Sequence, residues 1–306
     1  MRDFLTLISE EYVVLDGGMG TQLQQKGLTP QEIPEEWNLS HPGEVEQIHL
    51  DFLTAGAQII ETNTFGGSPL KLSMTGKQHL SQKVNKKGVE LALSARKKFT
   101  QDPEASEEER NKGKFVAGSA GPSGRMMGME VSPQEVQSSY ASQGEVLSSS
   151  GVDLFIVETM MSLEEAVVAT KTLKNNFGLP VITSMVFNKT KKGEFRTLFG
   201  NTVSESVSSL IDAGADAVGV NCGLVQDYIQ VITEMRKITS APLVLYPNAG
   251  VPRKKGESTV FEQTPEEMIS YLYSSIEAGA TILGGCCGTT PEYIRLLSQR
   301  IKGRKR

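Results

Sequence analysis

The chain has 306 residues, 38% of them apolar, and its 31 basic and 36 acidic residues give a net charge of −5. This length can bury a proper core, and the negative charge argues against nucleic acid or an anionic membrane as a partner. The N-terminus lacks the apolar stretch of a signal peptide, and no segment approaches the ~20 apolar residues of a membrane span. From these two absences we expect a cytoplasmic protein. Thiols stay reduced there, and three cysteines are an odd count, so we do not expect a disulfide framework.

Eight short apolar runs, each suited to a parallel strand covered on both faces, alternate with amphipathic segments. The runs begin at Tyr12, Gln58, Phe115, Asp153, Pro180, Ala217, Pro242 and Thr281. Helix-starting patterns, in which a capping residue precedes proline or acidic residues, occur at Ser132, Ser162, Thr264 and Thr290. We expect the charged stretch from Thr100 to Lys114 to be a mobile surface loop.

Four segments of the chain repeat one plan, in which a helix ends at a glycine and a strand follows at once. These glycines are Gly56, Gly151, Gly214 and Gly279. Eight such βα units predict a TIM (β/α)8 barrel, an α/β fold, as one domain over residues 1–306. An open doubly wound sheet is the alternative. It fits less well, because it would concentrate the reactive residues at one switch point, and here they follow strands along the whole chain.

All three cysteines lie at the carboxyl ends of predicted strands, Cys222 after the sixth and the pair Cys286 and Cys287 after the eighth. These ends converge on one face of a barrel, so three thiolates could bind zinc and leave its fourth position open. Such an electron-rich ion suits the binding of a further thiolate, which predicts thiol alkylation. The alternatives are cysteines that pack as small hydrophobic residues and a strained redox pair at Cys286 and Cys287.

The motifs NCG and GGCCGTTP, together with LDGGMGT, ETNTF, ETMMSLEEA and PNAG, resemble those of the homocysteine S-methyltransferase family over nearly the whole chain. The resemblance implies that Cys222, Cys286 and Cys287 bind zinc and hold homocysteine as a thiolate for methylation to methionine. Within the family, the motifs look most like the homocysteine module of cobalamin-dependent methionine synthase.

Homocysteine also carries an ammonium and a carboxylate group, and the resemblance places Asp16 and Glu158 against the ammonium. A turn residue is the alternative for Asp16, and an acid at a helix N-terminus is the alternative for Glu158. The backbone N–H groups around Gly17 and Gly18 could bind the carboxylate, since glycine permits a close approach. Asn63 is a further substrate-binding candidate, and its alternative role is to order its loop.

Asn248 is a candidate fourth ligand of the metal. In cobalamin-using family members the matching asparagine oxygen fills this position when homocysteine is absent. In the betaine-using branch a tyrosine does so, and Thr159 stands at that place here. A turn residue after Pro247 is the alternative for Asn248.

The methyl donors known in the family are methylcobalamin, betaine, S-methylmethionine and S-adenosylmethionine. The motifs favour the cobalamin branch, but the cobalamin-binding pattern DxHxxG does not occur in the chain. We therefore predict a stand-alone module that receives its methyl group from a separate methylcorrinoid protein, docking on an open, glycine-rich rim. The alternatives are a small donor, a different thiol substrate and a non-catalytic zinc-binding barrel.

Overall fold

A computed structural model describes residues 3–103, 106, 110, 113–255, 258–301 and 304. The predicted runs form eight parallel strands: β1 (Val13–Val14), β2 (Ile59–Glu61), β3 (Phe115–Ala120), β4 (Leu154–Met160), β5 (Val181–Met185), β6 (Ala217–Asn221), β7 (Leu243–Tyr246) and β8 (Ile282–Leu283). Each strand pairs with its successor from β2 to β8, and β8 pairs with β1. A bridge between Leu15 and Ile59 closes the ring between β1 and β2, which confirms the TIM-barrel prediction.

The α-helices of the described residues surround this barrel. They are α1 (Phe4–Glu10), α2 (Met19–Gln25), α3 (Trp37–Ser40), α4 (Pro42–Ala55), α5 (Pro69–Ser73), α6 (Ser81–Gln101), α7 (Pro133–Ser150), α8 (Leu163–Phe177), α9 (Val203–Asp212), α10 (Val225–Arg236), α11 (Pro265–Ile269), α12 (Leu272–Ala278) and α13 (Pro291–Ile301). Short 3-10 turns span Pro34–Glu36 and Gln78–Leu80. Two small hairpins pair Asn188–Lys189 with Phe195–Arg196 and Arg253–Lys255 with Ser258–Val260. A membrane-spanning helix is not found among the described residues.

The predicted helix signals are found where the sequence places them. Ser132 and Thr264 form capping boxes, and the Ser162 side chain accepts a hydrogen bond from the first turn of α8. At Thr290 the side chain accepts from the backbone N–H of Tyr293. The four turn glycines have φ values between 95° and 111°, which only glycine adopts readily.

The predicted surface loop from Thr100 to Lys114 differs from expectation at both ends. Helix α6 continues to Gln101, and residues 104–105, 107–109 and 111–112 lie outside the described residues. Lys114 is buried, where its Nζ donates to the Ala57 carbonyl at 2.7 Å and lies 4.7 Å from the centroid of the Phe99 ring. Lys114 therefore belongs to the packed base of β3.

The inside of the barrel changes from apolar to polar along the strands. Ile59, Ile156 and Ile182 pack in an inner cluster with Phe4 and Leu7 of α1, which closes the amino end of the barrel. Side chains two positions further along a strand point to the same face. Residues two positions past members of this cluster, or four positions in the case of Asn221, form a polar layer at the carboxyl end: Glu61, Ser119, Glu158, Ser184, Asn221 and Tyr246.

Helix α4 buries an ionisable side chain away from this layer. His49 of α4 is fully buried, and neither ring nitrogen has a hydrogen-bond partner among the described residues. Burial lowers the pKa of His49 to about 4, while the nearby Glu46 opposes the shift. Unfolding exposes the imidazole, whose ordinary pKa is 6.5, so the unfolded state binds a proton that the folded state refuses between pH 6.5 and 4.

We therefore expect the free energy of unfolding to decrease as the pH is lowered from 6.5 to 4. The substitution His49→Leu should remove part of this decrease. Above pH 6.5 the titration of His49 does not change the free energy of unfolding. At pH 4 it should lower the free energy of unfolding of the wild type by about 3 kcal/mol, a loss that the variant does not show. Urea unfolding of both proteins at pH 7 and pH 4 measures the difference. The exposed His79→Leu is the matched control and should follow the wild type. Equal losses in wild type and His49→Leu would contradict the assignment.

Candidate metal and substrate site

The three cysteines converge at the carboxyl end of the barrel. Their sulfur atoms all lie within 4.8 Å of one another, and the Sγ atoms of Cys286 and Cys287 are 4.0 Å apart. Cys222 follows β6 with a φ of 61°, a left-handed conformation that turns its side chain out of the strand direction. The loop after β8 is held by a hydrogen bond from Cys286 N–H to the Pro247 carbonyl at 2.8 Å. The convergence predicted from the strand order is thus present.

The thiols form a cluster whose protons are shared. Hydrogen bonds from Cys286 and Cys287 lower the pKa of Cys222, and the interaction with Cys222 raises the pKa of both partners. The cluster therefore loses one proton readily and holds the other two, because Cys286 and Cys287 donate hydrogen bonds to the Cys222 sulfur and burial and repulsion between thiolates add to this effect. A bound divalent cation removes that repulsion. Three converging sulfur ligands fit a zinc ion with one open position.

A cavity of 350 Å³ lies beside the cysteines. Its lining includes the turn after β1, the ends of β2 and β4, and all three cysteines. Phe65, at the end of the ETNTF motif, and Tyr246, the last residue of β7, contribute aromatic surface. The cavity suits a small amino acid whose sulfur reaches the cysteines.

Four buried or half-buried carboxyl groups are gathered at this cavity: Glu35, Glu61 and Glu158 line it, and Asp16 lies directly beside Glu61. Glu35 accepts from the Gly66 N–H, and the other three are close to the cysteines. The Glu61 N–H donates to Asp16 Oδ2 at 2.9 Å, and Glu158 accepts from Ser119 Oγ at 2.5 Å. Burial raises the pKa of Glu158 to about 7 and raises the pKa of Asp16 and Glu61. Each of these carboxylates would be stabilised by a cationic group. Glu61 is not among the substrate residues predicted from the sequence, although its position two residues after the inward Ile59 is a usable signal.

The glycines of the turn after β1 are needed for packing. A Cβ on Gly18 would lie 2.5 Å from the Cys286 carbonyl oxygen, and one on Gly17 would lie 2.8 Å from Thr289 Oγ1 and from a carbon of the Phe52 ring. Both glycines line the cavity. The Gly18 N–H donates to Thr289 Oγ1 at 3.1 Å and so is already engaged. The turn therefore approaches the cysteine loop closely. Binding of a substrate carboxylate by this turn stays a prediction.

Asn63 lines the cavity, but its side chain is used within the protein. Its Nδ2 donates to the Pro34 carbonyl at 2.7 Å and to Asn38 Oδ1 at 2.9 Å. These bonds tie the loop after β2 to the segment before α3, which matches the loop-ordering alternative. A direct substrate contact by Asn63 stays a prediction.

Asn248 lies against the cysteine cluster. Its Oδ1 accepts from the Cys287 N–H at 3.1 Å, and its side chain forms a hydrogen bond with Cys222 that lowers the pKa of that thiol. In this arrangement Asn248 forms hydrogen bonds with both cysteine loops and stabilises their conformation. The oxygen has a second lone pair that this bond leaves available, and ligation of zinc by Asn248 stays a prediction.

Asn221, directly before Cys222, connects the cysteines to the carboxyl layer and was not selected from the sequence. Its Nδ2 donates to Glu158 Oε2 at 3.3 Å, to Thr159 Oγ1 at 2.7 Å and to Cys286 Sγ at 3.8 Å. Its Oδ1 accepts from the Thr159 N–H at 2.8 Å and from Ser184 Oγ at 2.9 Å. Thr159 has a φ of 57°, an unusual value for this residue type, and these bonds hold it there. Asn221 is therefore a positioning residue.

Known proteins show the same architecture. A sequence profile of the homocysteine S-methyltransferase family matches residues 13–301. The metallated form of the homocysteine methyltransferase MmuM from Escherichia coli is similar to this chain, with a TM-score of 0.80 and 25% identity over 95% of this chain and 96% of that chain. The oxidized form of MmuM gives a TM-score of 0.79 at 25% identity, over 94% and 96% of the two chains.

A more distant similarity shows the fold alone. The carboxyl transferase domain of pyruvate carboxylase from Rhizobium etli has a TM-score of 0.55 and 12% identity, over 96% of this chain and 48% of that chain. The family profile, in contrast, extends from β1 to the end of α13 and includes all three cysteines. The chain therefore belongs to the homocysteine S-methyltransferase family, and it is a methyltransferase enzyme.

Proposed function

We propose that this enzyme transfers a methyl group to the sulfur of homocysteine in a zinc-dependent reaction, and that a methylcorrinoid protein supplies the methyl group. The observation that carries the proposal is the cluster of Cys222, Cys286 and Cys287, with sulfur atoms within 4.8 Å of one another beside a cavity lined by carboxyl groups. When bound by these cysteines, zinc would supply the acidity that keeps a substrate thiol deprotonated at neutral pH.

The residues around the cysteines orient the substrate. Asp16 and Glu158 accept the ammonium group of homocysteine, since both are buried carboxyls at the carboxyl end of the barrel. Asn221 fixes the positions of the Glu158 and Cys286 side chains relative to each other, because it donates hydrogen bonds to both. The thiol proton leaves to solvent, and the new sulfur–carbon bond forms as the bond between methyl group and donor breaks.

The surface of the barrel rim supports the proposal that a protein delivers the methyl group. Loops after β3, β4 and β5 form a groove of 440 Å³ whose lining includes several exposed apolar side chains. They are Met126, Met129, Met161, Leu198 and Phe199, and Met129 is 81% exposed. Met161 follows the cavity residue Thr159 by two positions, so the carboxyl end of β4 and the loop after it contribute to both the cavity and the groove. Methionine side chains adapt to a partner surface, and we assign this rim to the methylcorrinoid protein.

The donor assignment is tested by mixing zinc-loaded enzyme and homocysteine with methylcobalamin and, separately, with S-methylmethionine, S-adenosylmethionine and betaine. We expect methionine from methylcobalamin, because an open rim admits a large corrinoid. Rapid methionine formation from a small donor, with none from methylcobalamin, would overturn the assignment. If no donor yields methionine, the non-catalytic alternative is favoured. If the enzyme methylates another thiol in preference to homocysteine, that thiol is the substrate.

A rim variant sharpens this experiment. Met129→Gln combined with Phe199→Ser should raise the KM for a methylcorrinoid protein and leave the rate with free methylcobalamin unchanged, because only the protein contacts the rim. Equal rates with the corrinoid protein would remove the rim from the proposal. If ultracentrifugation shows that the wild type is a dimer that these substitutions dissociate, the rim binds a second copy of this chain instead.

A further inference from the structure

Glu61 has an oxygen without any hydrogen-bond partner. Its Oε1 is buried, and no described residue donates to it. The rest of the residue is tied in place, since its N–H donates to Asp16 Oδ2 at 2.9 Å and its side chain, when protonated, donates a hydrogen bond to Glu158. A cationic ligand would replace this proton. Glu61 also lines the cavity beside the cysteines. An acceptor is thus held rigidly at the cavity wall and lacks a donor.

The charge around Glu61 makes this arrangement costly for the empty protein. Glu61 interacts unfavourably with the carboxyl groups of Glu158 and Asp16. Among the described residues that line the cavity there is no lysine, arginine or histidine. Buried carboxyl groups are normally paired or neutralised. A site that gathers them without a cation is built to receive one from its ligand.

We propose that Glu61 is a third acceptor for the ammonium group of the substrate, and that it makes the site select an α-amino thiol over thiols without an amino group. This inference rests on the proposed function, since homocysteine supplies the ammonium. A protonated amine has three N–H donors. Asp16, Glu61 and Glu158 can therefore accept one each, and Glu61 is the one with a buried oxygen that has no partner.

The test compares two thiols that differ only in the amino group. Homocysteine and 4-mercaptobutyrate are titrated into zinc-loaded wild type and Glu61→Gln, with heat and proton release as readouts. Glutamine keeps the size of the side chain and its ability to bond to Glu158 but loses the charge. We expect the Kd of homocysteine to rise about 10- to 100-fold, as expected for loss of a charge-assisted hydrogen bond, while the Kd of 4-mercaptobutyrate changes by less than about threefold.

A purely structural role for Glu61 gives a different result. Both thiols would then weaken together and the urea midpoint of the variant would fall, whereas loss of a repelled carboxyl should leave the midpoint equal or higher. Equal weakening, or unchanged homocysteine binding, overturns the inference. Should Glu61→Gln fail to fold, Glu61→Met provides the same comparison.

The matched control is Glu36→Gln, a glutamate outside the cavity that pairs with Lys77. It should bind both thiols as the wild type does, and weakened homocysteine binding in this variant would overturn the inference. Failure of the wild type to bind homocysteine at all would instead refute the proposed function, and the inference with it.

Discussion

Replacement of Cys286 by alanine is expected to abolish methyl transfer and to reduce bound zinc from about one ion per chain to almost none. The sulfur atoms of Cys222, Cys286 and Cys287 lie within 4.8 Å of one another, so removal of any one leaves two ligands at a site that needs three. The same loss is expected for Cys222→Ala and Cys287→Ala. Elemental analysis of the purified proteins, with a chelator competition assay, measures the loss.

Reconstitution provides the control for this experiment. Wild-type enzyme stripped of metal by a chelator should regain both zinc and activity when zinc is returned, whereas the three alanine variants should regain neither. Metal retained at full occupancy in all three variants would show that the cysteines are not the ligands. Activity that survives complete removal of zinc from the wild type would contradict the proposed metal dependence.

Replacement of Gly18 by alanine is expected to reduce kcat/KM by about 100-fold and to weaken zinc binding. The added Cβ would lie 2.5 Å from the carbonyl oxygen of Cys286, a backbone atom that can move only if the cysteine loop moves with it. A displacement of about 1 Å at reacting groups is enough for a loss of this size. Steady-state kinetics and chelator competition measure the two effects.

Gly43→Ala is the matched control, because a Cβ at Gly43 meets no atom of the described residues within 4 Å and Gly43 does not line the cavity. Gly43 lies in α4, where alanine is a better helix former than glycine, so this variant should be as active as the wild type and slightly more stable. A Gly18→Ala enzyme with normal activity and zinc affinity would show that the contact with Cys286 does not position the cluster.

The amino-acid sequence by itself determines the barrel, because its signals are local. A parallel strand requires a short apolar run, a helix start requires a cap such as Ser132, and a turn into a strand requires a glycine such as Gly151. Each of these signals is contained in a few neighbouring residues. The convergence of Cys222 with Cys286 also follows, since all strands of a barrel carry their carboxyl ends on one face.

Contacts across the barrel were decided only by the tertiary structure. Asn221 donates to Glu158 and to Cys286, which are 63 and 65 positions away in the sequence. Gly18 meets the carbonyl of Cys286 from the opposite end of the chain. The two-residue alternation of a strand predicts which face a side chain occupies. It does not predict which residue lies opposite that side chain across the barrel, because this depends on the register and curvature of the closed sheet. For the same reason the free oxygen of Glu61 could be found only once its neighbours were in place.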